Sequence, residues 1–330
     1  MPRIVRFHRT GDAEVLQLDE IAMPGAGPGE LVVAVRAFGL NRAEVMFRRG
    51  EYPQYQPEFP SALGYEAAGT VIAVGDNVTA FAPGDRVATI PSFKMGHYWS
   101  YGEVARVPVH AVAPLPAHLS FEEGAAIWMP FMTCYGALIE YGRLAAGEHL
   151  VVRAASSSVG LAAIQMAKRL GAKTIAVTRT SAKREWIEAA GADHLIASNE
   201  EDMVARILEI TGGRGAEMIM DPVAGPELEK LAQAIAYQGR LFVYGRLDAR
   251  PAIFPVGLGL AKGLTMRGYS LFEIINFPEK FEAGKRHVQA GLAAGDYRPV
   301  VGATFPLADV VAAHRYMESN AQHGKIVVTV

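Results

Sequence analysis

Cysteine is almost missing from this chain: Cys134 stands alone among 330 residues. A single cysteine excludes an internal disulfide framework and any multi-cysteine metal site, and it suits a reduced, cytoplasmic setting. An excess of either charge is missing too. The 32 Lys and Arg against 34 Asp and Glu leave a formal net charge of −2, so bulk charge gives no reason to expect nucleic acid as a partner. No apolar run approaches the roughly 18 residues that a membrane-spanning helix needs. The first residues, MPRIVRFHRTGDAEVLQL, have no apolar core of a signal peptide and read as a strand. Repeats and low-complexity segments are also lacking. What is present is apolar: half of the chain is hydrophobic, enough for two domains with their own cores.

The first 120 residues are rich in short β-branched runs, IVRF, ELVVAVRAFGL and AAGTVIAVG, separated by turn clusters such as PGAGPGE and GDNVTAFAPGDRV. They predict a compact β-rich unit with one helical stretch in AEVMFRRGEY. From about residue 125 the pattern changes. Strand-length apolar runs at 149–154, 173–178, 194–196, 217–221, 240–245 and 264–269 alternate with amphipathic segments near 158–170, 182–190, 200–211 and 226–236. Such alternation predicts an α/β fold with a parallel, doubly wound sheet covered on both faces. A later helical stretch precedes a final strand, KIVVTV, expected to return to the first domain. The division drawn from the sequence is 1–124 plus 275–330 for the β-rich domain and 125–274 for the α/β domain.

The turn after the first of these α/β strands reads AASSSVG. It is poor in the glycines that let a backbone approach a pyrophosphate; only Gly160 remains, at the position where helix and strand pack closely. Ser156, Ser157 and Ser158 are small, cap helices well, and carry hydroxyls. With Val159 they are expected to present backbone N–H groups at a helix N-terminus, where the dipole favours an anion. Read alone, the turn also fits a plain capped strand-to-helix connection. The end of the second strand adds weight. A dinucleotide without a 2′-phosphate calls for Asp or Glu there. The sequence instead has Thr178, Arg179, Thr180, Ser181, Lys183 and Arg184, donors suited to a 2′-phosphate. Positive charge at a helix start opposes the dipole, so a merely solvated helix start leaves the choice unexplained. The expectation is NADP(H).

Four stretches, GYEAAGTVIAVGDNVTAFAPGDRVA, LPAHLSFEEGAAIWMPFMTCYGAL, AASSSVGLAAIQMAK and NAQHGKIVVTV, resemble the zinc-independent branch of the medium-chain dehydrogenase/reductase superfamily, its quinone oxidoreductases, zeta-crystallin and alkenal or enoyl reductases. The resemblance covers essentially the whole chain. It implies a GroES-like β-rich domain, a Rossmann domain and an active-site cleft between them. The chain departs from the SGGVG often found in that family's loop through Ser157 and Ser158; Gln165 and Lys168 match its helix. Where the zinc-dependent branch has its catalytic ligands this chain has Asn41, Tyr65 and Met129, none a good zinc ligand, with Glu66 left alone. The structural zinc lobe is missing as well. Without a metal to stabilise an alkoxide, the reactions that suit the site are hydride additions to acceptors already electrophilic.

By the same resemblance Tyr52, in GEYP, is the expected proton donor, with packing alone as the other reading. Asn41 is expected to touch substrate or the nicotinamide ribose, or else to be a turn residue. Thr133 matches a threonine near the nicotinamide ring, and Lys325 a lysine that reaches the cofactor or else lies at the surface. Val223, Tyr244, Leu271 and Phe272 fall in loops expected to line the cofactor, at the carboxyl ends of strands. Asp221 is read as capping the next helix, and Cys134 as core filler. Met95, Trp128, Met129, Phe131 and Met132 are read as a substrate wall or as core. The function expected is NADPH-dependent hydride transfer to a quinone or an α,β-unsaturated carbonyl. The alternatives are NADPH binding without turnover, in a structural or regulatory protein, and a metal-free alcohol-type dehydrogenase. A homodimer is expected, with GLTMRGYSLF as a candidate pairing edge.

Overall fold

The computed structural model describes residues 1–330. The chain forms two compact units, one made of Met1–Met129 and Pro299–Val330, the other of Pro130–Arg298.

The first unit is built around strand Glu30–Gly39, whose β-branched and aromatic residues are buried along most of its length. It pairs antiparallel with Glu66–Val74, Val104–Pro108 and the final strand Lys325–Thr329. Val301–Pro306, Arg86–Thr89 and Val112–Pro114 complete the seven-stranded sheet. Arg3–Phe7 sits between Gln17–Glu20 and Ser61–Ala62 in a small second sheet. One helix, Arg42–Arg49, leaves the end of the central strand through Asn41. Arg48 on this helix is fully buried. Its guanidinium donates to the Gly11 carbonyl, pairs with His314 Nδ1 at 2.9 Å and with Glu318 at 2.6 Å, and so pins the helix to the one at Val310–Glu318.

The second unit holds a six-stranded, all-parallel sheet in the order His194–Ala197, Lys173–Thr178, His149–Arg153, Ala216–Asp221, Ile235–Val243, Thr265–Gly268. The chain starts in the middle and winds outward in both directions, so the order reverses between His149–Arg153 and Ala216–Asp221, the place where doubly wound folds bind ligands. Val151, Ile175, Ile196, Ile219 and Leu241 from the strands pack with Ile207 and Leu231 from the helices in one buried core.

Two sequence expectations change. Residues 275–298 belong to the second unit, not the first, and 125–129 to the first, not the second. Gly284, on helix Pro278–Ala293, lies against Met132 and Tyr135, and the Gln165 side chain grips the Arg298 backbone at both ends, donating to its carbonyl at 3.0 Å and accepting its N–H at 2.7 Å. The helix expected to run to 236 stops at Gln233, because the β-rich run IAYQGRLFV starts a nine-residue strand at Ile235. Helix Val256–Lys262 was hidden by Pro255, Gly257 and Gly259, which weaken any helical signal.

Candidate cofactor and active site

The parallel sheet brings a set of distant residues to one edge. In register, Val177 lies beside Arg153, Met220 beside Val152, Asp221 beside Val243, and Val243 beside Gly268. The loops carrying Ser156–Val159, Thr178–Lys183, Val223, Tyr244 and Leu271–Phe272 therefore all leave the same carboxyl edge.

The turn after Arg153 achieves its shape without the usual glycines. Ala154 takes the left-handed region at φ 50°, where a glycine would sit without strain. Ser157 caps the helix Ser158–Arg169, its hydroxyl accepting the Gly160 N–H at 3.1 Å. Gly160 is required: a Cβ there would lie 2.6 Å from the Ala155 carbonyl oxygen and 2.7 Å from that of Ala154. With Gly160 N–H satisfied, the N–H groups of Ser158 and Val159 are the first-turn donors that no helical carbonyl reaches. Ser156 is buried and Ser158 half-buried.

At the end of the second strand Thr178 is buried, Arg179 and Thr180 are exposed, and Lys183 is half-buried. Burial, and then the neighbouring charge of Arg179, hold the Lys183 ammonium below its ordinary pKa. Two cations near enough for one charge to depress the other are suited to an anion. Across the sheet, the Tyr244 hydroxyl is sealed from solvent beside Ser157 yet makes no well-formed hydrogen bond; burial pushes this phenol well above its ordinary pKa. A buried hydroxyl left unpaired beside this turn fits a polar ligand arriving there. Thr133 is buried one residue before Cys134, whose thiol donates to the Val159 carbonyl at 3.4 Å. The Cys134 thiol is pushed up by burial alone and has no base beside it, so it packs as the sequence suggests. Asp221 holds its own turn, accepting the N–H groups of Val223 and Ala224 at 2.9 and 3.0 Å.

The first unit gathers the other candidates. Lys325, 1 % exposed, donates to Asn41 Oδ1 at 2.6 Å and forms an ion pair with the equally buried Glu66. It is not a surface lysine. Gly39 makes room for it: a Cβ at residue 39 would lie 2.4 Å from Lys325 Cε and 2.1 Å from the Ala125 carbonyl oxygen. The second oxygen of Glu66 accepts the Met129 N–H at 2.7 Å. Asn41 continues the network. Its N–H and its amide nitrogen donate to Glu44 at 2.6 and 3.2 Å, and the amide also reaches the Gly39 carbonyl at 3.4 Å. Glu44 further accepts the Tyr65 N–H at 3.1 Å and the Tyr101 hydroxyl. Only one lone pair of Asn41 Oδ1 is left for a ligand.

Tyr52 is buried, 6 % exposed, and its hydroxyl meets that of Tyr65 at 3.2 Å. Tyr65 meets the Tyr55 hydroxyl at 2.5 Å, and Tyr55 accepts the Met95 N–H at 3.0 Å. Burial raises the pKa of all three phenols, so they are neutral. Met95 and Trp128 of the first unit and Phe131 and Met132 of the second are each buried, Phe131 stacked on Tyr297 with ring centroids 4.9 Å apart; only Met129 is half-exposed.

The donor set around residues 41, 65, 66 and 129 does not suit zinc. It offers an amide, a phenol and a thioether, and its one carboxylate is committed to an ammonium and a backbone N–H. No group of three or more His, Cys, Asp or Glu in the structure is placed to hold a metal ion. The members that sequence reasoning passed over are Glu44, Tyr55 and Tyr101. Glu44 had a signal: Asn41 and Glu44 stand at the N-x-x-E spacing of a capping box, and the structure forms its Glu44 half, the carboxylate accepting the Asn41 N–H.

No helix is long and apolar enough to cross a membrane. Residues 27–117 match the family model for the alcohol dehydrogenase GroES-like domain, and 158–286 that for zinc-binding dehydrogenases. The chain is 33% identical to a quinone oxidoreductase of Homo sapiens over 331 residues, covering 99% of this chain and 97% of that one. It is also 33% identical to quinone oxidoreductase 1 of Escherichia coli K12, covering 97% of each. The crystal structure of Escherichia coli quinone oxidoreductase complexed with NADPH matches it at a TM-score of 0.89 and 31% identity, over 99% of this chain and 100% of that one. The fold class and branch expected from the sequence are those found: a GroES-like domain and a Rossmann domain on one chain. The chain belongs to the medium-chain dehydrogenase/reductase superfamily, in its quinone oxidoreductase branch.

Proposed function

We propose that this protein is an NADPH-dependent oxidoreductase that reduces a quinone or an α,β-unsaturated carbonyl compound without zinc. The observation that carries the reading is the Arg179–Lys183 pair after the second strand, in a stretch, 177–184, that itself carries no Asp or Glu for an unphosphorylated ribose. In this reading residues 130–298 hold the cofactor and the rest of the chain is the catalytic, GroES-like domain. The N–H groups of Ser158 and Val159, with the Ser156, Ser157 and Ser158 hydroxyls, bind the pyrophosphate. Thr178, Arg179, Thr180 and Lys183 bind the 2′-phosphate. Thr133, Val223, Tyr244, Leu271 and Phe272 line the remainder. When bound, NADPH supplies a hydride.

The chain's own residues do the rest. Tyr52, kept neutral by burial, donates a hydrogen bond to the oxygen on which negative charge develops, and then its proton. Asn41, locked by Lys325 and Glu44, offers its remaining lone pair to a ribose hydroxyl. Lys325 supports it from behind and neutralises Glu66. Because charge develops on an oxygen that the acceptor already conjugates, this donor replaces the stronger polarisation that a metal would give. The reading places the enzyme in the cytoplasm as a homodimer, with no nucleic acid or membrane partner. Thr265–Gly268 is an edge strand of the parallel sheet, and the exposed Ile253, Phe254, Val256 and Leu260 precede it, a surface suited to a second copy.

Purified protein is to be offered NADPH with 1,4-quinones and, separately, with enones. Oxidation of NADPH with either class supports the proposal. Tight NADPH binding with no oxidation across both classes contradicts it and favours a binding protein without turnover.

A further inference from the structure

The three tyrosine hydroxyls of the first unit have a direction. Each phenol has one proton to give and accepts through its oxygen. The Met95 N–H can only donate, so it occupies the Tyr55 oxygen. The Lys94 ammonium stands over the Tyr55 ring, 5.5 Å from its centroid. Both features make the Tyr55 oxygen a poorer acceptor and its proton a better one to donate. The 2.5 Å contact then runs from Tyr55 to Tyr65, and the 3.2 Å contact from Tyr65 to Tyr52. In this order every oxygen accepts once and every proton but one has a taker. The remaining proton is that of Tyr52, whose hydroxyl has no other partner in the protein.

The frame around the chain is rigid. Phe47 meets the rings of Tyr52 and Tyr55 edge-on, with centroids 6.2 and 5.6 Å apart, and the two tyrosines meet each other at 5.1 Å. Tyr65 is 2 % exposed, and its backbone N–H is tied to Glu44. Tyr55 is half-buried, so it is the member that solvent reaches.

We propose that Tyr65 and Tyr55 are positioning residues that aim the Tyr52 proton at the substrate oxygen and replace it from solvent. The proposal rests on the reductase reading for the identity of the acceptor. For each hydride added to the substrate, Tyr52 releases its proton to the substrate oxygen and takes one from Tyr65. Tyr65 takes one from Tyr55, and water restores Tyr55. One proton is consumed per hydride and no group is left changed.

The test compares Tyr52→Phe, Tyr65→Phe and the double variant. Loss of one hydrogen bond in the chain predicts that Tyr65→Phe lowers kcat about tenfold, with KM for NADPH unchanged. It also predicts that the double variant is no slower than Tyr52→Phe. The proton inventory in mixed H2O and D2O curves for wild type and becomes linear in Tyr65→Phe. Independent losses in the double variant, or a Tyr65→Phe enzyme with wild-type kcat, overturn the relay while leaving the reductase reading intact. A second measurement needs no turnover. With 3-fluorotyrosine at position 52, fluorine NMR follows its ionisation; loss of the Tyr65 donor raises the midpoint. An unchanged midpoint overturns the relay even if no acceptor is ever reduced.

Discussion

The serine turn of the second unit and the Glu66 cluster of the first solve different problems. The turn keeps its donors open: Ser158 and Val159 N–H groups and the Tyr244 hydroxyl are left for something to bind. The cluster closes its donors on itself: the Lys325 ammonium, the Glu66 carboxylate and the Asn41 amide satisfy one another out of solvent. An open site costs little stability when altered and much affinity. A closed one costs the reverse, since breaking a buried pair leaves one charge uncompensated.

The sharpest break in that contrast is Lys325→Met. It strands Glu66 and is expected to cost about 3–5 kcal/mol in urea unfolding; adding Glu66→Gln should return most of the loss. A single variant as stable as wild type would show that the pair is not a closed unit. Next comes Arg179→Ala with Lys183→Ala. Removing charge-assisted contacts predicts a loss of about 1.5–3 kcal/mol in NADPH binding, read by titration, with NADH affinity and the melting temperature little changed. Equal losses for both cofactors would remove the 2′-phosphate assignment.

An effect that is small at neutral pH concerns His314. Burial, then the Arg48 guanidinium, lower its pKa to about 3, and its Nδ1 accepts from Arg48. The unfolded histidine, with pKa near 6.5, binds its proton more readily than the folded one. The contribution is therefore fully present above pH 6.5 and is lost as pH falls toward about 3, at up to about 1.4 kcal/mol per pH unit. His314→Asn keeps an acceptor for Arg48 and should flatten that acid slope; an unchanged slope assigns it elsewhere. Least costly is Ser157→Ala, which removes the cap on Gly160. A loss of about 1 kcal/mol is expected, and no loss would mean that the turn is held by its backbone alone.

The two regions also differ in how they could be read. The turn was legible because its parts are neighbours in sequence: strand, Ser156–Ser158, helix, and then Arg179 and Lys183 one strand later. Even there, Ala154 took the strained backbone position, which composition does not reveal. The cluster joins Lys325 to residues 284 and 259 positions away, and no spacing announces such a contact; resemblance alone singled out Lys325 and Asn41. In the sequence Tyr65 stands out only as a poor zinc ligand. Its place between two other phenols is a product of packing. The boundary at Arg298 was missed for the same reason, since the Gln165 clasp that holds it spans 133 positions.

The central claim is that the open turn serves NADPH and that the closed cluster supports reduction of an electrophilic acceptor. The most direct measurement is anaerobic, stoichiometric mixing of the protein with NADPH and a 1,4-quinone, following nicotinamide absorbance and hydroquinone together. The account predicts one hydroquinone formed per NADPH consumed, with NADH far less effective at equal concentration. Folded protein that binds NADPH and leaves both reactants unchanged, with quinone and enone alike, would contradict it.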